Sequence, residues 1–271
     1  GAAGGQQNAS QQAHDGGALY HRSVSLLLAH EDKTHPGALI ASLAIPWGEV
    51  KSDDDLGGYH LVWTRDLVQS ATGLLASGDT ATPRRALIYL SASQHPDGGF
   101  AQNFWINGTP YWSGIQLDEV SFPIILAWRL ARSGGLDDLD PYPMVRRGLG
   151  YLLRHGPATP QERWEEAGGY SPSSLAAQIA ALVCAAELAR AREDASIAQL
   201  ALDYADFLEA HLEPWTVTSR GSLLAGVPRH YIRISSTEDP DTATLHINNL
   251  APGQPSEFPA RDIVDAGFLE L

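Results

Sequence analysis

Apolar residues recur along this chain mostly at helical spacing. Leu19, Val24, Leu27 and Leu28 place a helix within residues 16–30. Further helical patterns fall at 66–79, 82–93, 118–135, 141–155, 171–194 and 197–212. Two stretches read instead as β-like: 38–46 (ALIASLAIP) and 227–234 (VPRHYIRI), the first expected to pair locally. Residues 235–258 are polar and rich in Pro and Gly, and a new helix is expected from about Asp262 (DIVDAGFLEL).

The order of these patterns repeats. Asp66, Asp118 and Ser171 each open an apolar helical run, and they lie 52 and 53 residues apart. All three are residue types that cap helix N-termini. Another helical stretch follows each run, so the repeating unit is a helix pair. Such a repeat predicts an α/α solenoid or toroid. No strand alternates with the helices, which disfavours a βαβ sheet. The loops preceding the repeated starts would line one mouth of the ring, and tryptophans and carboxylates gather in those loops. Residues 1–15 are small and polar and read as a flexible leader or linker ahead of the 16–271 domain.

Composition narrows the partners. Eighteen basic against 32 acidic residues give a net charge of −14. Arg84-Arg85 and Arg146-Arg147 are the largest basic clusters, so a nucleic-acid partner is not expected. The single cysteine, Cys184, sits in an apolar run and is expected to be a buried small side chain. One thiol excludes an intrachain disulfide and a four-cysteine metal site. The Ala-rich run 176–188 falls short of the ~20 residues of a bilayer span, so a membrane partner is not expected.

Three segments carry candidate chemistry. The first is GGYHLVWTRD, residues 57–66. Its aromatic residues offer flat faces to sugar rings, and Arg65-Asp66 offers donors and acceptors to vicinal hydroxyls. The bland alternative is a helix-capping Arg-Asp pair with Trp63 in the core. The second is YWSGIQLDE, residues 111–119, again aromatic and then acidic at a helix start. Acidic residues there also suit the helix dipole, but a cap alone needs no preceding tryptophan. The third is ERWEEAGGY, residues 162–170, where two carboxylates follow Trp164 and precede a flexible Gly-Gly. A carboxyl against an indole and beside another carboxylate holds its proton more tightly than one in water, as a general acid requires. A solvated charge pair is the competing reading.

Other features carry less. HEDKTH, residues 30–35, lacks the zincin spacing. Asn107-Gly108-Thr109 is a glycosylation sequon. QHPDGGF, residues 94–100, is a turn signal resembling terpene-cyclase repeats, but it occurs once and without their acidic motif. Asp53-Asp54-Asp55 is a carboxylate run from which no calcium site is claimed, and no cofactor is expected.

At its three candidate segments, with the later VDAGFLEL, the chain resembles glycoside hydrolase family 15, the glucoamylases and glucodextranases, and the bacterial branch above all. The motifs occur in the family's order and spacing. The resemblance implies an all-α fold, the (α/α)6 barrel, incomplete in this chain. It implies inverting, exo-acting release of β-D-glucose from non-reducing ends of α-glucans. Glu165 matches the general acid, and Glu166 the neighbouring carboxylate that binds the sugar beyond the scissile bond. Arg65 and Asp66 match the pair gripping the terminal glucose, and Tyr59, Trp63, Trp112 and Trp164 the aromatic walls. Gln116 and Asp118 match pocket or supporting positions. Glu166 is excluded as the base, because a side chain adjacent in sequence to Glu165 must point elsewhere. The family's base lies in a later segment than Leu271, and its bacterial members carry a β-sandwich domain before the barrel. The chain is therefore expected to be an N-terminal portion of the catalytic barrel. Alternatives are a glucodextranase acting on α-1,6 linkages, and an inactive or glucan-binding piece completed by a second chain carrying the rest of the barrel.

Overall fold

The computed structural model describes residues 15–44, 58–248, 250–251 and 253–271. The leader residues 1–14, Pro46, Asp53-Asp54-Asp55 and Gly57 lie outside the described residues. Helices dominate: α1 (Ala18–Ala29), α2 (Thr64–Ala76), α3 (Ala81–Ser93), α4 (Leu117–Ser133), α5 (Tyr142–His155), α6 (Pro172–Arg190) and α7 (Ala195–Thr216). The strands are short and come late. β1 (Val217–Thr218) pairs antiparallel with β2 (His230–Tyr231), and β3 (Thr244–His246) with β4 (Glu257–Pro259).

The helix pattern read from the sequence is present, with instructive shifts. The repeated starts are Thr64, Leu117 and Pro172. Asp66 and Asp118 are therefore first-turn residues rather than caps. There they favour the helix through its dipole, and the residue ahead of α2 is Trp63 in extended conformation. Ser171 does precede α6, but its hydroxyl meets Ser173 Oγ instead of capping, and Pro172 supplies the preset φ. Residues 38–44 form no strand. Leu39 makes an isolated bridge to Glu31, and Ala41 and Ser42 donate to the carbonyls of Leu61 and Tyr59, so the local pairing is there without a ladder. The terminal helix expected near Asp262 is two 3₁₀ turns, Ala260–Asp262 and Ala266–Glu270.

The chain divides into two compact units, which share α4 and α5 in sequence. The first comprises the described residues up to His95, with Phe100–Ser113 and Leu126–Met144. Its core draws Leu67, Val68, Ala71 and Leu74 from α2 and Ala86, Leu87 and Leu90 from α3, two helices that pack together. Leu39, Leu61 and Phe104 join them, all fully buried. A half-buried ion pair ties the loop after α1 to α3. Arg85 donates Nε and Nη2 to the two oxygens of Glu31, at 2.7 and 2.8 Å. Gly37 closes that loop at φ +92°, where a Cβ would lie 2.2 Å from the Arg85 carbonyl.

The second unit comprises Pro96–Gly99, Gly114–Ile125 and Val145–Leu271. Its main packing sets α6 against α7. The buried residues include Ala181, Ala185 and Ala189 on α6 and Ala198, Ala201 and Ala205 on α7. Leu175 and Leu182 of α6 and Leu208 and Leu212 of α7 are buried with them, adding the larger apolar volume of this core. Counter to the sequence reading, α6 is long and apolar enough to cross a bilayer, but 72% of its apolar window is buried inside the fold. It is a core helix, and Cys184 is buried on it as expected. A smaller core of Ile232, Ile234, Ala243, Leu245 and Ala260 lies under the late strands, and Ala167 packs onto it.

Candidate functional site

The residues singled out in the sequence gather into two groups, one in each unit. In the first unit, Val62 and Phe104 exchange both backbone hydrogen bonds at 2.9 Å, fixing the segment ahead of α2 to the 100–112 loop. Asn103, fully buried, accepts the Trp112 N–H on its side-chain oxygen at 2.8 Å and the Tyr111 N–H on its carbonyl. These bonds set the aromatic side chains in a row. Tyr59 and Trp63 have ring centroids 6.1 Å apart, Trp63 meets Trp112 edge-on at 6.1 Å, and Trp112 meets Tyr111 at 5.5 Å. Trp105 closes the row on Tyr111 at 5.1 Å, and its carbonyl accepts from the Tyr89 hydroxyl at 2.9 Å. Burial pushes Tyr89 far above the usual tyrosine range, so it remains a donor. Trp63 is buried, its neighbour Tyr59 is 42% exposed, and Trp112, Tyr111 and Trp105 are half-buried. Arg65 and Asp66 are half-buried in the first turn of α2. Trp63 is thus a core residue, as the bland reading has it, and it stands in the row between Tyr59 and Trp112.

In the second unit the ERWEEAGGY loop is a tight structure. Glu162 N–H donates to the Ala167 carbonyl and Glu165 N–H to the Glu162 carbonyl, both at 2.8 Å. Glu165 adopts a left-handed backbone at φ +64°, a conformation costing an ordinary L residue of order 1 kcal/mol. Its side chain is turned toward Gln116, whose Nε2 donates to Glu165 Oε1 at 3.2 Å and to Gln161 Oε1 at 3.0 Å. Gln161 Nε2 donates in turn to the Glu165 carbonyl at 2.9 Å. Gln116 is buried at the head of α4, and Asp118 beside it accepts the Glu119 N–H. The start of α4 is pinned to the same loop, because Leu117 N–H donates to Thr159 Oγ1.

Glu166 points elsewhere. Its Oε2 takes a 2.7 Å hydrogen bond from Arg233 Nη2, and its Oε1 accepts the Asn248 N–H at 3.2 Å. Its side chain is 9% exposed, so this carboxylate is not a freely solvated one. Trp164 is 55% exposed and has two guanidinium groups over its ring, Arg163 at 5.6 Å and Arg233 at 5.9 Å from the centroid. Cation–π contact of this kind orients an exposed indole. Arg163 also holds both oxygens of Asp265 at 2.8 Å and Glu270 at 3.1 Å. Burial alone would raise Asp265, but the Arg163 hydrogen bonds and charge outweigh it and hold the carboxyl below its usual range.

The Gly168-Gly169 pair was expected to lend flexibility. Its role is close packing. A Cβ on Gly168 would sit 2.6 Å from the Pro160 carbonyl oxygen, and one on Gly169 would sit 2.1 Å from the Ser235 carbonyl oxygen. Gly169 pairs with Thr159 through two 2.9 Å backbone bonds, and Tyr170 pairs with Ser235.

The sequence reading missed Arg233, Gln161, Glu162 and Asp265 as members of this group. Glu162 and Asp265 lie inside the quoted motifs. Arg233 stands 67 residues from Glu166, and its place on an alternating β-like run is the nearest sequence signal. Among the described residues no cluster of three or more metal-ligating side chains occurs.

Comparison with known proteins gives a consistent result. The model of the family described as "Glycosyl hydrolases family 15" matches residues 15–257. The chain is 44% identical over 255 residues to a glucoamylase of Clostridium sp. (strain G0005), covering 94% of this chain and 35% of that protein. Among solved structures it is similar to a bacterial glucoamylase complexed with acarbose, with TM-score 0.81 and 45% identity over 93% of this chain and 36% of the other. A family 15 glucoamylase from Hypocrea jecorina shares the fold at TM-score 0.58 and 20% identity, covering 79% of this chain and 38% of that one. The chain thus spans about a third of the length of these glucoamylases. Its helices have the all-α, (α/α)6-type fold expected from the sequence.

Proposed function

Because the chain belongs to glycosyl hydrolase family 15, we propose that the complete polypeptide is an exo-acting, inverting glycosidase. It releases β-D-glucose from the non-reducing ends of α-glucans. The observation carrying this reading is the divergence of two neighbouring glutamates: Glu165 is directed to an amide donor, while Glu166 is bound to a guanidinium. Two adjacent carboxylates in unlike settings suit unlike roles. Glu165 donates a proton to the glycosidic oxygen as the bond to the anomeric carbon breaks. Glu166 accepts hydroxyl hydrogen bonds from the sugar on the leaving side. Water attacks the opposite face, activated by a base that neither glutamate supplies.

The binding roles follow the same reading. Arg65 and Asp66 grip the hydroxyls of the terminal glucose by fork donors and carboxylate acceptors. Tyr59, Trp63, Trp112 and Trp164 supply apolar faces, and Gln116 and Asp118 hold polar positions at the head of α4. Acarbose, the ligand of the similar bacterial glucoamylase, is the probe of choice for testing these binding roles.

The test is glucose release from maltotriose by the complete polypeptide carrying Glu165→Gln. Loss of a general acid predicts a fall of at least ~100-fold in turnover. Near-wild-type turnover would overturn the assignment. First appearance of α- rather than β-glucose in the product, followed by NMR, would overturn the inverting mechanism.

A further inference from the structure

Arg233 follows β2 on a run whose side chains alternate. Ile232 and Ile234 go into the small core, and Arg233 projects to the other face. Its N–H is fixed on the Ile263 carbonyl at 2.9 Å. A single nitrogen, Nη2, donates to Glu162 Oε1 at 2.6 Å and to Glu166 Oε2 at 2.7 Å. The guanidinium side chain is 10% exposed, and Glu162 1%. The remaining oxygens have their own donors, the Trp164 N–H for Glu162 and the Asn248 N–H for Glu166. The same guanidinium lies over the Trp164 ring.

We propose that Arg233 is a positioning residue for the leaving-group side of catalysis: it fixes Glu166, and with it Trp164, where the sugar beyond the scissile bond is received. The inference rests on the function proposed above. Direct contact of Arg233 with substrate is not required, since its Nη2 is taken up by two buried carboxylates. Without the cation those carboxylates face each other at short range in a poorly solvated place, and like charges there repel. Glu166 would swing away, and the acceptor presented to the sugar would be lost. Glu165 is held by a different set of groups, Gln116 and Gln161. Proton donation and leaving-group binding should therefore come apart on substitution.

The experiment compares Arg233→Met and Arg233→Lys in the complete polypeptide on two substrates. Maltotriose carries a sugar leaving group, and α-D-glucosyl fluoride carries none. Arg233→Met is expected to lose roughly 10- to 100-fold in kcat/KM on maltotriose, the value of a charge-assisted hydrogen bond to a buried acceptor, and less than about 3-fold on the fluoride. Arg233→Lys keeps the charge without the planar fork and should fall between. Equal losses on both substrates would overturn the proposal, because a general loss of folded protein moves both alike. Unchanged maltotriose kinetics in Arg233→Met would overturn it too. If Arg233→Met does not fold, Arg233→Lys decides: it must lose at least about 3-fold more on maltotriose than on the fluoride. Retained activity of Glu165→Gln would refute the glycosidase reading instead, a separable outcome.

Discussion

Gly169→Ala offers the most direct check on the loop that carries the two glutamates. The new Cβ would sit 2.1 Å from the Ser235 carbonyl oxygen and 2.8 Å from its carbon. Both atoms are backbone, so no rotamer change relieves the contact. The native φ of +141° is also one that alanine resists, at about 1–2 kcal/mol. Relief of the contact requires the 168–170 segment to move off residue 235. That breaks or stretches the reciprocal 2.8 and 3.0 Å bonds of Tyr170 and Ser235, and loosens the Thr159 pair on the other side. At about 0.5–1.5 kcal/mol per net hydrogen bond, two to three weakened bonds add about 2–3 kcal/mol. The sum, about 3–5 kcal/mol, is a large part of the ~5–15 kcal/mol by which folded domains are stable.

The assay is the urea midpoint at unchanged slope, together with amide exchange at Thr159, Gly169, Tyr170 and Ser235. Gly134→Ala is the control. Gly134 has φ +72°, and no atom lies within 4 Å of where its Cβ would stand. Only the conformational cost, about 1 kcal/mol, applies there. A Gly169→Ala protein no less stable than Gly134→Ala would refute the reasoning, since the backbone clash would then be worth nothing.

Two further outcomes follow from the charges. Asp265 is held below its usual range in the folded state, so it adds stability above its unfolded pKa and loses it as pH falls through the lower folded value. The wild-type advantage over Asp265→Asn in urea midpoint should be full at about pH 6 and shrink below about pH 4; an advantage that grows with acid would contradict the Arg163 pair. Arg85→Met should cost about 2–3 kcal/mol, less than the full penalty for a broken buried pair because Arg85 is 38% exposed. Glu31→Gln added to it should recover part of that loss, by removing the stranded charge, and a fully additive double variant would argue against direct coupling.

The helix-pair rhythm was legible in the sequence because it depends on local spacing. Apolar residues every three or four positions build one buried face whatever the neighbours are, and the recurrence of such faces told the class. Cys184 was legible for the same reason. The helix edges were less so. Asp66 and Asp118 stabilise a helix end equally from the cap or from the first turn, and Trp63 took the residue position ahead of α2. The run from Asp262 has a helical pattern, yet it folds as 3₁₀ turns. Gly267 there passes so close to Ser173 that a Cβ on it would stand 2.9 Å from the Ser173 Cβ.

By itself the sequence determined the chemistry available: which loops carry tryptophan, where two glutamates stand together, and the motifs that point to the family. Only the tertiary structure decided how each group is used. Gly168-Gly169 turned out to serve close backbone packing. Glu165 and Glu166 were parted by Gln116 and Arg233, residues 49 and 67 positions away. The physical reason is range. Spacing and propensity act over a few residues, whereas a hydrogen bond or a steric contact depends on which distant segments the fold brings within about 3 Å, and no local pattern records that.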